Sequence, residues 1–186
     1  MVRAFVAVVI SEDIRRKVAE VQGQAKKFAP NVKWVAPDNF HITLMFLGDV
    51  AEDRLSEVHE AISDAVRGLQ PFTMSFSGLG VFPNLSRPRV VWAGVEQGRE
   101  QLMEIAAKVD AALVKLGFEK EDRPFAAHIT IGRVKDGKPP GGLAQGIEEI
   151  DARNMGSQQV ASVVVMESEL LREGPVYSPL SESKLT

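Results

Sequence analysis

Phe40-His41-Ile42-Thr43-Leu44-Met45-Phe46 is a run of apolar and β-branched residues that carries one histidine and one threonine, a composition typical of a β-strand. Side chains along a strand point alternately to its two faces. The apolar residues at positions 40, 42, 44 and 46, ending on Phe46, are therefore predicted to face the core. His41 and Thr43 are predicted to share the opposite face with Met45.

The same tripeptide returns as His128-Ile129-Thr130, 87 positions later (128 − 41). Moved by this offset, the apolar strand around Phe5 falls on the strand around Trp92, and the helical stripes and later strands also coincide. We therefore predict a duplicated β-α-β-α-β unit of the α+β class, with approximate repeats at 3–82 and 90–170 of one bilobal domain spanning 1–186. Pseudo-two-fold packing would turn both His-x-Thr strands towards one cleft.

Apolar periodicity places the remaining elements. The final residues are predicted to be frayed, and the Gly- and Pro-rich loop at 135–142 is a candidate rim of the cleft. Strands are predicted at 4–10, 32–35, 40–47, 72–81, 90–95, 125–134, 160–171 and 176–180, and helices at 11–28, 55–66, 102–117 and 144–150.

Composition limits the chemistry available to the 186 residues. The chain has no Cys, which excludes thiol nucleophiles, Cys-based zinc sites and Fe–S clusters. The 22 Lys and Arg against 25 Asp and Glu leave a net charge of −3, which disfavours wrapping of long nucleic acids. The apolar run near the N-terminus is too short for a signal peptide or a membrane span. We expect a cytoplasmic protein without a membrane partner.

Each motif offers an imidazole and a hydroxyl about 6.6 Å apart along its strand. One histidine can accept a proton from water while the other protonates a leaving oxygen, and threonine hydroxyls can bind phosphate oxygens. A zinc site is the competing interpretation, but neither motif has a nearby third ligand on the same face. The third histidine, His59, is predicted to lie on a helix surface without a role.

The doubled motif and its surroundings resemble the 2H phosphoesterase superfamily, and most closely its branch of RNA 2′,3′-cyclic phosphodiesterases, also called 2′-5′ RNA ligases. The resemblance extends over nearly the whole chain. It is carried by Arg3-Ala4-Phe5-Val6-Ala7-Val8, Asn39-Phe40-His41-Ile42-Thr43-Leu44, Phe46-Leu47-Gly48, Val81-Phe82-Pro83, Arg89-Val90-Val91-Trp92-Ala93-Gly94, His128-Ile129-Thr130-Ile131-Gly132-Arg133, Glu167-Ser168-Glu169-Leu170 and Gly174-Pro175-Val176-Tyr177.

The resemblance implies antiparallel sheets that line a central cleft, with helices outside. It also implies hydrolysis of a 2′,3′-cyclic phosphate to a 2′-phosphate without a metal or other cofactor, with reversible 2′-5′ ligation as a related activity. By analogy, His41 would be the proton donor and His128 the proton acceptor, while Thr43 and Thr130 would bind the phosphate. The near symmetry of the two copies leaves the order of donor and acceptor open.

Four further residues are candidates for substrate binding. Arg133 lies five positions after His128, so it faces the opposite side unless a bulge near Gly132 changes the alternation. Arg123 and Arg89 lie in loops that flank the motif strands. Phe46 could stack on a base, although its position favours the core. The expected partners are RNA ends or nucleotides with a 2′,3′-cyclic phosphate, bound by a monomer.

Two other functions remain open from the sequence. One is a factor that binds or joins RNA ends, with hydrolysis incidental, for which a steep salt dependence of RNA affinity would be typical. The other is a metallohydrolase, which chelation would inhibit.

Overall fold

Two antiparallel sheets and four α-helices make up the computed structural model, which describes residues 1–135 and 138–186. The predicted loop at 135–142 includes residues 136 and 137, which lie outside the described residues. The strands are β1 (Val2–Val9), β2 (Lys33–Trp34), β3 (His41–Val50), β4 (Phe72–Phe82), β5 (Val90–Val95), β6 (His128–Arg133), β7 (Ser157–Val160), β8 (Ser162–Leu171) and β9 (Gly174–Lys184). The helices are α1 (Glu12–Phe28), α2 (Leu55–Val66), α3 (Arg99–Lys115) and α4 (Leu143–Glu149), with 3-10 turns at Pro37–Asn39 and Glu52–Arg54.

The strand order is β3-β1-β8-β9 in the first sheet and β2-β6-β5-β4-β7 in the second, and the predicted α+β class is confirmed. Each sheet contains two strands from the other half of the chain, β8 and β9 in the first sheet and β2 and β4 in the second. β4 pairs with β5 in the second sheet, and β8 pairs with β1 in the first. This exchange joins the two halves through backbone hydrogen bonds. The repeat limits 3–82 and 90–170 stay a prediction.

The 87-residue offset between the two halves of the chain also relates the ends of two helices. Moved by 87, the bounds of α1 coincide with those of α3 (12 to 99, and 28 to 115). α1 begins as predicted, because the Ser11 hydroxyl accepts a hydrogen bond from the Ile14 N–H at 3.3 Å. None of the helices in the described residues has the length and apolarity needed to cross a membrane.

Two predicted strand limits were wrong because the partner strand decides them. The strand predicted at 125–134 begins only at His128, which pairs with Gly94 near the end of β5. The strand predicted at 160–171 is β8, which begins only at Ser162, and Val160 ends a separate strand, β7, that was not predicted. The chain changes sheets at Ala161, since β7 pairs with β4 and β8 pairs with β1. Apolar periodicity contains no information about which strand lies alongside.

Two further predictions were wrong, one on the end of β3 and one on the C-terminal residues. The strand predicted at 40–47 continues to Val50, with Gly48 in the left-handed region at φ 69°. The C-terminal residues are ordered, because β9 extends to Lys184 and the Leu185 N–H donates to the Ala161 carbonyl at 2.9 Å. The Leu185 side chain is only 5% exposed and packs in the core.

Candidate active site

Both His-x-Thr motifs open a strand, and the two strands run beside each other. β3 and β6 approach within 8 Å between Cα atoms. Ile42 and Ile129 are fully buried in the core, as the alternation predicts. His41 and Thr43, and likewise their equivalents on β6, lie half-buried on the opposite face.

A bulge in β3 changes the predicted direction of Phe46. Pairing with β1 passes from Thr43 directly to Met45, so Leu44 has no partner. Leu44 and Met45 are consecutive, yet both are buried in the core. Because two successive side chains face inward, the alternation reverses after them. Phe46 is 62% exposed, and the prediction that it packs in the core was wrong.

An equivalent bulge in β6 reverses the direction of Arg133. Pairing with β5 passes from Thr130 to Gly132, which leaves Ile131 without a partner on β5. Ile131 is fully buried, and a Cβ placed on Gly132 would lie 2.8 Å from Val32 Cγ1 on the same core side. Arg133 therefore lies on the same face as His128 and Thr130.

Each histidine ring is oriented by a backbone carbonyl two residues before it. His41 Nδ1 donates to the Asn39 carbonyl at 2.7 Å, and His128 Nδ1 donates to the Ala126 carbonyl at 2.6 Å. A carbonyl only accepts, so the neutral rings carry their proton on Nδ1. Nε2 is then the basic nitrogen, and at His41 it accepts from the Thr43 hydroxyl at 2.8 Å.

The electrostatics of the cleft disfavour positively charged rings. Burial lowers the pKa of His41, the hydrogen bond to Asn39 partly offsets this, and the positive charges of Arg133 and His128 lower that pKa further. Burial likewise lowers the pKa of His128, the bond to Ala126 raises it, and the Arg133 charge lowers it. The Arg133 charge thus acts on both histidines.

Aromatic rings enclose both imidazoles, and of these only Phe82 was a sequence-based candidate, as a residue that could stack on a base. The Phe5 and Tyr177 ring centroids lie 4.8 Å and 5.2 Å from that of His41. The Phe82 centroid lies 5.0 Å from that of His128 and 5.2 Å from that of Trp92. The alignment of Phe5 with Trp92 at the 87-residue offset was the available signal, since both occupy the strand next to a motif strand.

A pocket of about 200 Å³ lies next to His41. Arg15, Asp38, Asn39 and Tyr177 contribute to its wall. The Arg15 Nη1 atom is 3.9 Å from an Asp38 carboxylate oxygen, so the pocket offers both signs of charge beside the histidine.

The two remaining candidate arginines are exposed in loops, and the third histidine lies on a helix. Arg123 is exposed in the loop before β6, and Arg89 is exposed at the end of the loop between β4 and β5, where its carbonyl accepts from the Val134 N–H at 3.0 Å. His59 lies on α2, with Nδ1 3.5 Å from the Ser183 hydroxyl of β9.

Among residues 1–135 and 138–186, no group of three or more His, Asp or Glu side chains is placed to hold a metal ion. Metal independence stays a prediction for experiment.

Two histidine–threonine strands set side by side by a duplicated fold define the class of two-histidine phosphoesterases. The family model described as LigT like Phosphoesterase matches residues 8–92 and again residues 94–177. The chain belongs to this family of LigT-like phosphoesterases, as the motifs predicted.

Similar proteins span nearly the full length of the chain. An RNA 2′,3′-cyclic phosphodiesterase of Methanothermobacter thermautotrophicus is 40% identical over 184 residues, which is 99% of each chain. TT0787 of Thermus thermophilus superposes with a TM-score of 0.81 at 30% identity, covering 98% of this chain and 97% of its own. E. coli LigT complexed with 3′-AMP superposes with a TM-score of 0.77 at 29% identity, covering 100% and 98%.

Proposed function

We propose that the protein hydrolyses the 2′,3′-cyclic phosphate at an RNA end, or on a nucleotide, to a 2′-phosphate. The observation that carries this proposal is the pair of half-buried histidines whose Nδ1 atoms are both held by carbonyls, which leaves Nε2 for proton transfer. The name of the Methanothermobacter relative supports the same substrate.

In the proposed reaction, His128 Nε2 removes a proton from a water molecule as the water oxygen attacks phosphorus. The bond between phosphorus and O3′ breaks, and protonated His41 donates its Nε2 proton to that oxygen. The product is a 2′-phosphate beside a free 3′-hydroxyl. The same step, with the 5′-hydroxyl of a second RNA end replacing water as the nucleophile, would break the bond to O3′ and form a 2′-5′ linkage.

Phosphate binding is proposed for Thr43, Thr130 and Arg133. The two hydroxyls donate to non-bridging oxygens, and the guanidinium neutralises their charge. In the free protein, the Thr43 hydroxyl instead donates to His41 Nε2. When substrate binds, this hydroxyl would exchange the imidazole nitrogen for a phosphate oxygen as its acceptor. Arg123 and Arg89 are exposed and are proposed to attract the RNA strand.

The rest of the substrate has two places to bind on the first sheet. Phe46 pairs with Phe5 in the middle of β1, whereas His41 pairs with Val9 at the end of β1, beside the pocket. We propose that a base stacks on exposed Phe46 and that the pocket accepts a polar group of the substrate. The proposed setting is a monomer in the cytoplasm.

Hydrolysis of a nucleoside 2′,3′-cyclic phosphate is expected to continue in excess EDTA and to yield the nucleoside 2′-phosphate. The reason is that both proton transfers and the charge neutralisation are assigned to side chains. Chromatography against 2′- and 3′-phosphate standards identifies the product. A 3′-phosphate product, or loss of turnover that zinc restores, would contradict the proposal. Tight RNA binding with a steep salt dependence but no turnover would favour the RNA-end binding factor.

The pH dependence of kcat/KM is expected to be bell-shaped with its maximum below pH 6.5. The pKa of each histidine lies below its usual value of 6.5, so the free enzyme holds one protonated ring only in more acidic solution. A bound anionic phosphate raises both pKa values, so kcat should reach its maximum at higher pH than kcat/KM. Initial rates between pH 4 and 9 test this (a range set by the ordinary histidine pKa), and coincident maxima would contradict it.

A further inference from the structure

Gln22 is a buried polar residue on the apolar face of α1. Its side chain is 1% exposed, and the buried residues of the same helix face include Ile14, Val18 and Val21. A buried amide is costly unless its hydrogen-bonding groups have partners. The partners of Gln22 therefore explain why a polar residue occupies this position.

The Gln22 amide joins the end of β2 to the bulge of β6. Its Nε2 donates to the Val35 carbonyl at 2.7 Å and to the Ile131 carbonyl at 2.8 Å. The Ile131 carbonyl also accepts from the Val35 N–H at 2.9 Å. Ile131 is the residue that the pairing with β5 omits, so the amide supports the ladder where it is interrupted.

We infer that Gln22 is a positioning residue for Arg133. The bulge that Gln22 holds is the feature that turns Arg133 to the histidine side, since Ile131 and Gly132 both face the core. Gln22 acts through the backbone of β6 and reaches no substrate itself. This inference rests on the proposed phosphate-binding role of Arg133.

The equivalent residue in the other half makes the assignment specific. Moved by 87 positions, Gln22 coincides with Val109, which is apolar and fully buried on α3. The corresponding bulge at Leu44 turns the uncharged Phe46 towards the cleft. The buried amide of Gln22 thus supports the bulge of β6, which directs a guanidinium, whereas the residue equivalent to Gln22 in the other half is apolar.

Q22M keeps a side chain of similar length but removes the donor. We expect the Kd for a nucleoside 2′-phosphate to rise about 5- to 10-fold, the range for loss of one or two buried hydrogen bonds. V18A, one turn earlier on α1, lowers stability by opening a cavity and should leave this Kd within about 2-fold. Calorimetric titration of both variants measures the difference, and an equal loss in V18A would overturn the inference.

A double-mutant cycle tests the route through Arg133. If Gln22 acts by placing that guanidinium, Q22M should weaken binding in the native background and change it by less than about 2-fold in R133A. G132A provides an independent disturbance of the same bulge, since its Cβ would lie 2.8 Å from Val32 Cγ1, and it should behave like Q22M. A full additional loss in the R133A background would overturn the inference.

The NMR signal of the Arg133 Nε–H group separates this inference from the proposed function. A shift of that signal in Q22M but not in V18A supports the positioning role, whether or not the protein hydrolyses cyclic phosphates. An unchanged signal in Q22M overturns it even in a fully active enzyme. Absence of turnover in the native protein would instead overturn the proposed function alone.

Discussion

Replacement of His41 or His128 by Ala is expected to lower kcat for a nucleoside 2′,3′-cyclic phosphate by roughly 10²–10⁴-fold. Each ring is assigned one proton transfer, and the remaining ring cannot perform both in one turnover. The double variant should be scarcely slower than the slower single variant, because groups that act as a unit are not additive. Steady-state rates of the three variants test the expectation.

H59A is the matched control, since His59 lies on α2 near Ser183 and is assigned no role. Its rate should equal that of the native enzyme. Single variants that retain most of their activity would contradict the two-histidine mechanism, as would a double variant whose loss is the product of the two single losses.

The leaving group decides which ring is the acid. A phosphodiester with a p-nitrophenol leaving group needs no protonation of the departing oxygen. If His41 is the donor, H41A should recover activity on this substrate, whereas H128A should remain inactive on both. The opposite pattern would reverse the two assignments while leaving the pair in place.

Replacement of Arg133 by Met is expected to lower kcat/KM by about 10²-fold, the effect of removing one preorganised charge from a developing anion. The kcat/KM of R133K should lie between that of the native protein and that of R133M, because Lys keeps the charge but lacks the two-pronged hydrogen-bonding geometry of Arg. R67M removes an exposed arginine that pairs with Asp64 at the end of α2, and it should leave kcat/KM unchanged.

The same variant should also move the pH profile. The Arg133 charge lowers the pKa of His41 and of His128, so its removal raises both pKa values. The maximum of kcat/KM in R133M is therefore expected at higher pH than in the native enzyme. A profile that keeps its position, or moves to lower pH, would show that Arg133 lies too far from the histidines to act on them.

The site could be predicted from the sequence where its geometry is local. Strand alternation correctly separates His41 and Thr43 from Ile42, and the repeated tripeptide correctly indicates that β6 carries the same set. Alternation failed for Phe46, which a bulge turns out of the core. A bulge depends on how one strand pairs with another, and the residue pattern of a single strand does not specify that pairing.

The duplication, the two His-x-Thr strands and the apolar helix faces follow from the sequence alone, because periodicity and repeats are properties of residues near one another in the chain. Only the tertiary structure decided the direction of Arg133, the hydrogen bond from Gln22 to a carbonyl 109 residues away, and the exchange of β4 and β8 between the sheets. Each of these depends on the register between segments far apart in the chain, and that register is set by packing and hydrogen bonding once the chain has folded.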